Sequence, residues 1–171
     1  MKKITRFQDI PKFPQAYYSI TVTIDHLKST LELWSTREEE LILNPEWQRG
    51  HVWNEAQQIV FMEYFLKNGT TGRDIFFNCS TWQILDGLQR ITAALAFLDN
   101  KIPIFGSYYS EFTDRVRMSD GKFTFHMLCL ASKKELLKVY IDHNSGGTPH
   151  NPEEIARIQK MMDDTPENET L

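Results

Sequence analysis

The sequence predicts an α+β fold on three observations: short apolar or β-branched runs bounded by turn residues, longer segments with apolar residues at helical spacing between them, and no internal repeat. With 171 residues, 41% hydrophobic and 12% aromatic, the chain has enough apolar material for one real core. A single domain over residues 1–171 is therefore expected, with no low-complexity linker to divide it.

Residues 21–24 are β-branched, and Asp25 then suits the N-cap of a helix to about Glu39, rich in Leu, Lys and Glu. Leu41-Ile42-Leu43 reads as a short strand. Pro45 biases Asn44 away from the α region, so residues 44–52 are expected as a loop or strand end with polar residues available to ligands. Asn54 suits the N-cap of a helix over residues 55–67, where Ile59, Val60, Phe61, Tyr64 and Leu66 make a broad apolar face. That face predicts burial of most of the helix, and Asn68-Gly69 supplies its stop.

Residues 74–77 and 82–85 are short apolar runs on either side of Asn78-Cys79-Ser80-Thr81, the pattern of a hairpin or neighbouring strand pair. The second runs straight into Asp86-Gly87, after which Leu88, Ile91, Leu95 and Leu98 recur at helical spacing to about Asn100. Ala93 and Ala94 are small enough to let this helix pack closely on a sheet. An aromatic stretch (Phe105, Tyr108, Tyr109, Phe112), a turn at Asp120-Gly121 and the alternating Phe123-Thr124-Phe125 follow. Ser132 suits the N-cap of a helix to about Ile141, and Asn144-Ser145-Gly146-Gly147-Thr148-Pro149 is a loop. Asn151-Pro152-Glu153-Glu154 opens a last helix with proline in its first position, and from Asp163 the chain is acidic and expected to fray.

The formal net charge is −4, which argues against a polycation that coats nucleic acid. Between Lys101 and Lys138 seven basic residues stand against four acidic ones, the composition of a solvated face. Cys79 and Cys129 are far apart in sequence and form no paired framework, so both are expected as reduced thiols. Residues 4–14 carry Arg6, Asp9 and Lys12 and make no apolar leader, and no stretch approaches a membrane span; a cytoplasmic protein is expected. His126, His143 and His150 have no metal-site spacing, and no P-loop with lysine is present.

The best-placed candidate site is the strand-to-helix junction at Gly87. The first turn of a helix has N–H donors without intrahelical partners and the positive end of the helix dipole, and glycine lets an anion approach the backbone. Gln89 and Arg90 fall in that turn, where a guanidinium gives two charge-assisted bonds to one phosphate. Asp86 can orient the arginine, hold Mg2+ among phosphate oxygens, or position a water. A second pair of the same chemistry, Gln48-Arg49, lies in the loop between Trp47 and Trp53, tryptophans that either anchor in the core or stack on a base. The glycines of residues 144–148 add a third polar loop.

Three segments, Pro45-Glu46-Trp47-Gln48-Arg49-Gly50-His51-Val52-Trp53, Asp86-Gly87-Leu88-Gln89-Arg90 and Asn144-Ser145-Gly146-Gly147, stand in the order of the P-x-[YFW]-Q-R-x-x-V-W, D-G-Q-Q-R and N-x-G-G motifs that they resemble. These motifs typify the GmrS half of the GmrSD modification-dependent restriction enzymes. The resemblance spans residues 20–158 and departs from the pattern at Leu88, where the family's glutamine is lost and with it one polar side chain. Gly87-Leu88-Gln89-Arg90-Ile91-Thr92-Ala93 also resembles the G-x-x-R-x-x-A phosphate pattern of ParB proteins.

The resemblance implies a ParB/sulfiredoxin-like fold, a small mixed β-sheet surrounded by helices, and binding and hydrolysis of a nucleoside triphosphate with Mg2+ in a DNA-related or defence-related system. It implies nucleotide-binding roles for Gln48, Arg49, Gly87, Arg90, Thr92, Asn144, Gly146 and Gly147, and catalytic roles for Asp86, Gln89 and Arg90, with Asp86 as the Mg2+ ligand. Relatives use hydrolysis to control DNA cleavage by a separate nuclease domain, and no such domain is expected within these 171 residues. Two alternatives stay open: a non-catalytic nucleotide- or DNA-binding module that regulates a restriction, toxin or other defence protein, and a ParB-like DNA nuclease.

Overall fold

The computed structural model describes residues 3–11, 17–35, 42–43, 45, 53–117, 119–145, 152–166 and 169. The elements run β1 (Tyr18–Thr23), α1 (Ile24–Ser35), α2 (Glu55–Leu66), β2 (Asp74–Asn78), β3 (Gln83–Asp86), α3 (Leu88–Leu98), β4 (Lys122–Leu128), α4 (Lys133–Ser145) and α5 (Pro152–Asp164), with 3-10 turns at Phe7–Asp9 and Tyr109–Glu111. The four strands form one sheet in the order β1-β4-β2-β3. β1 and β4 pair antiparallel, β4 and β2 parallel, and β2 and β3 antiparallel, so the sheet is mixed and the fold is α+β.

Strand alternation divides the sheet into two faces. Phe123, Phe125 and Met127 of β4, Ile75 and Phe77 of β2 and Ile84 of β3 are fully buried among α1 (Ile24, Leu27), α2 (Met62, Phe65) and α3 (Ile91, Ala93, Ala94). Both alanines of α3 are fully buried in this core. Leu85 and Leu128 contribute to a second, smaller core with Leu136, Leu137 and Tyr140 of α4 and Ile158 of α5. These helices cover part of the second face. Ser19 of β1, Asp74 of β2 and His126 of β4 remain outside both cores.

Several predicted boundaries move for local reasons. β1 runs directly into α1, so Asp25 sits in the first turn rather than at its N-cap and accepts a bond from the Tyr109 hydroxyl at 3.3 Å. Ile42 makes a single parallel bridge with Gln83. α2 starts as predicted: Asn54 accepts from Gln57 N and the Gln57 side chain accepts from Asn54 N, a complete capping box. Its expected burial is only partial. Met62 and Phe65 are buried, but Val60 is 67% and Tyr64 40% exposed. α4 extends four residues beyond the predicted end, so Asn144 and Ser145 belong to its last turn instead of a loop. α5 continues to Asp164, and Glu169 pairs with Lys133 at 3.1 Å, while residues 167–168 and 170–171 of the acidic tail lie outside the described residues. The end of the first predicted helix past Ser35, the loop over residues 44–52 apart from Pro45, and residues 146–149 lie outside the described residues.

Arg73 fastens the end of α2 to the turn before β4. Its guanidinium donates to the carbonyls of Phe65 (2.7 Å), Asp120 (3.0 Å), Lys122 (3.1 Å) and Gly69 and lies over the Phe65 ring. Buried Asn78 plays a similar part after β2: its Oδ1 accepts from Leu130 N at 3.0 Å, and its Nδ2 donates to Thr81 Oγ1 at 2.9 Å. Cys79 and Cys129, distant in sequence, follow the paired positions Asn78 and Leu128 and meet at the end of the β2–β4 ladder. Both are free thiols; burial first, and then Cys129, push the Cys79 thiol above its ordinary range. Among the described residues no helix is long and apolar enough to cross a membrane.

Candidate functional site

β3 ends at Asp86 and α3 begins at Leu88, so Gly87 alone makes the turn, with φ 107° and ψ 5°. An L side chain is strained at that φ, and a Cβ there would stand 2.4 Å from Ile75 Cδ1. Glycine is thus required twice over. Having no side chain, it caps none of the first N–H groups of α3, which is the local chemistry of an anion site. Leu88, the first helical residue, is buried in the main core. Its place in the motif is therefore filled by a packing residue.

Arg90, in the first turn of α3, folds back on this junction. It donates through Nη2 to Asp86 Oδ2 and through Nη1 to the Asp74 carbonyl. His143 Nε2 stands 3.7 Å from the same Asp86 oxygen. The Phe76 ring packs against that imidazole, with its centroid 4.2 Å from His143 and 4.8 Å from His126. Burial pushes the Asp86 carboxyl up, but the His143 and Arg90 contacts outweigh it and hold its pKa at about 2. Asp86 is therefore a carboxylate at neutral pH, and Arg90 is aimed by it.

Gln89 ties rather than dangles: its Oε1 accepts the Trp53 backbone N–H at 3.0 Å. That bond brings the start of α2 beside the start of α3. Gln48 and Arg49 lie outside the described residues, yet their segment ends at Trp53, which is held on the second Gln-Arg motif. The Thr92 hydroxyl donates to Leu88 O at 2.8 Å, inside its own helix. Asn144 has its backbone in the last turn of α4, next to His143, and Gly146 and Gly147 lie outside the described residues. Among the sequence candidates, the structure brings Asp86, Gly87, Gln89 and Arg90 together.

Three contributors escaped the sequence reading: His143, the Asp74 carbonyl and the Trp53 N–H. In the sequence His143 stands out only as a histidine without metal-site spacing, although its position directly before the third motif is a usable signal. The other two are backbone groups and leave no side-chain signature. Beside the site, His126 Nε2 meets Asp74 Oδ1 at 2.8 Å and His126 Nδ1 meets Ser19 Oγ at 3.0 Å, a polar chain across three strands.

Among the described residues no three or more His, Cys, Asp or Glu side chains cluster as a metal site. Arg90 and His143 both address Asp86 Oδ2, so Oδ1 is the oxygen turned away from these two contacts. One ionised carboxylate oxygen beside a helix N-terminus fits Mg2+ that would arrive on phosphate oxygens, not a metal caged by protein alone.

A family model described as the GmrSD restriction endonuclease N-terminal domain matches residues 30–130. No curated protein and no solved structure matches the chain. The match takes in α2, β2, β3, the Gly87 turn, α3 and β4, and a restriction endonuclease family points to a DNA-related defence system. Because more than half of the sequence is matched, the chain belongs to the GmrSD restriction endonuclease N-terminal domain family.

Proposed function

We propose that this chain is a ParB-like module that binds a nucleoside triphosphate with Mg2+ at the β3–α3 turn and hydrolyses it. The supporting observation is that three sequence-distant segments meet at one helix N-terminus. Trp53, closing the first Gln-Arg segment, bonds Gln89; Asp86 bonds Arg90; and His143, directly before the third motif, stands 3.7 Å from Asp86.

In this reading the backbone N–H groups of the first α3 turn and the Arg90 guanidinium hold phosphate oxygens. A guanidinium has five N–H donors, so its bonds to Asp86 and Asp74 leave others for phosphate. Gln48 and Arg49 supply a second cationic, hydrogen-bonding arm, and Asn144, Gly146 and Gly147 a third side, with Thr92 behind the turn. Asp86 keeps Arg90 aimed and turns Oδ1 to Mg2+, which when bound neutralises phosphate charge. Gln89 holds the α2 entry in place, and Gln48 is the remaining candidate to orient the attacking water. The domain works as one folded unit in the cytoplasm, and its turnover regulates DNA cleavage or another defence protein.

A second reading, a binding module without turnover, draws on two observations. Leu88 is a buried packing residue where the family motif carries glutamine, and Arg90 is already neutralised by Asp86. Calorimetry and phosphate release with each of the four triphosphates and Mg2+ separate the readings. Turnover lost in Arg90→Ala supports the hydrolase, saturable binding without phosphate release supports the module, and absence of both refutes the nucleotide site. Loss of plasmid DNA on incubation with Mg2+ or Mn2+ would instead favour a nuclease.

A further inference from the structure

Helix α2 is apolar on two sides. Met62 and Phe65 enter the core, while Ala56, Val60 and Tyr64, spaced by four residues, line up on the opposite side; Phe61, on the Phe65 side and packed partly against the core, reaches the same cavity. A surface helix ordinarily carries one apolar stripe, and a second, exposed one marks a candidate binding surface. The second stripe walls an open cavity of about 670 Å3, which Trp53 and Thr71 help to line. That volume is in the range of small-molecule sites.

We infer that this cavity is the nucleoside subsite: it takes the base of the triphosphate whose phosphates lie over the β3–α3 turn. The inference rests on the nucleotide reading above and adds where the base goes. Trp53 and Phe61 offer adjacent aromatic rings, 5.3 Å between centroids and inclined by 55°, so a base stacks on one and meets the edge of the other. The capping box uses the side-chain oxygens of Asn54 and Gln57, so each amide NH2 faces outward from that bond as a donor for base nitrogens and carbonyls.

Continuity with the phosphate site selects this occupant over a peptide or a second protein. Trp53 is bonded through its backbone to Gln89. At Gly72 a Cβ would stand 3.2 Å from Phe61 Cε2 and 3.8 Å from Arg90 Cδ, so this glycine borders both the cavity wall and the arginine. A nucleoside stacked at Trp53 points its phosphates at the α3 N-terminus.

The test compares three probes by calorimetry on the full chain: a nucleoside triphosphate with Mg2+, inorganic triphosphate with Mg2+, and the nucleoside alone. The variant is Ala56→Gln with Val60→Gln, two uncharged changes at exposed helix positions that fill the cavity without touching the core. Stacking of one base is worth about 1–3 kcal/mol, so the nucleoside triphosphate should bind wild type roughly 5- to 150-fold more tightly than inorganic triphosphate. The variant should bring that ratio close to one while leaving inorganic triphosphate binding unchanged. Equal affinities for both probes in wild type, unaltered in the variant, would overturn the base subsite and leave the phosphate site standing. Binding of neither phosphate probe would overturn the nucleotide reading, and in that case nucleoside binding abolished by the variant would still uphold the cavity as a base site, while its absence would overturn that too.

Discussion

Replacing Gly87 by alanine probes the turn that the whole site depends on. Two costs add. At φ 107° an L residue pays about 1–2 kcal/mol for left-handed backbone. The new Cβ also falls 2.4 Å from Cδ1 and 3.2 Å from Cγ2 of Ile75, a fully buried side chain that has no room to retreat, and such overpacking costs about 1–3 kcal/mol. Gly87→Ala should therefore lose about 2–5 kcal/mol, read from the urea midpoint at constant slope. A double-mutant cycle separates the terms: Ile75→Val deletes Cδ1, at about 0.5–1.5 kcal/mol on its own, and should relieve the 2.4 Å clash while leaving the backbone cost and the milder Cγ2 contact. The pair should be less destabilised than the sum of the singles. A Gly87→Ala protein within about 0.5 kcal/mol of wild type, or strictly additive singles, would refute the geometry of the turn.

Three further outcomes follow from contacts outside that turn. Arg73→Ala removes donors to four carbonyls and should destabilise by about 2–4 kcal/mol in urea unfolding, with no change in ligand affinity of the folded fraction. The depressed Asp86 carboxyl, at about 2 against an ordinary 3.8, contributes stability that is complete above about pH 4 and is lost as pH falls toward 2. On a side chain 31% exposed this is worth at most about 2 kcal/mol, and Arg90→Gln, which removes its guanidinium partner, should flatten the acid limb of the stability profile. Tyr64 should ionise near pH 8, because the Thr71 hydroxyl, then the Thr71 N–H and the Thr70 hydroxyl, favour its phenolate; Thr71→Val should move the tyrosinate absorbance transition upward, and an unmoved transition would contradict these contacts.

The elements legible in the sequence were those with local causes. The Asn54 capping box, the strand-glycine-helix junction at Gly87 and the Ser132 cap, whose Oγ accepts from Glu135 N at 3.1 Å, are each written in a few adjacent residues. The errors came where a distant partner decides. α4 extends through Ser145 past the predicted end, and its last turns carry His143 to Asp86. The apolar residues of α2 announced burial but not its side, because only the packed sheet shows that Met62 and Phe65 face the core and Val60 does not. At the site, Asp86, Gly87 and Arg90 were readable from their spacing. The Gln89 bond to Trp53 N and the approach of His143 to Asp86 depend on pairs 36 and 57 residues apart, which no local pattern carries.

The claim that the β3–α3 turn holds the triphosphate is tested most directly by titrating isotope-labelled protein with a magnesium-bound triphosphate and following backbone amides by NMR. The account predicts the largest shifts at Gly87, Leu88, Gln89 and Arg90, saturating together, with Trp53 moving through its bond to Gln89. Saturable shifts centred elsewhere on the fold, with those four amides unmoved, would contradict it.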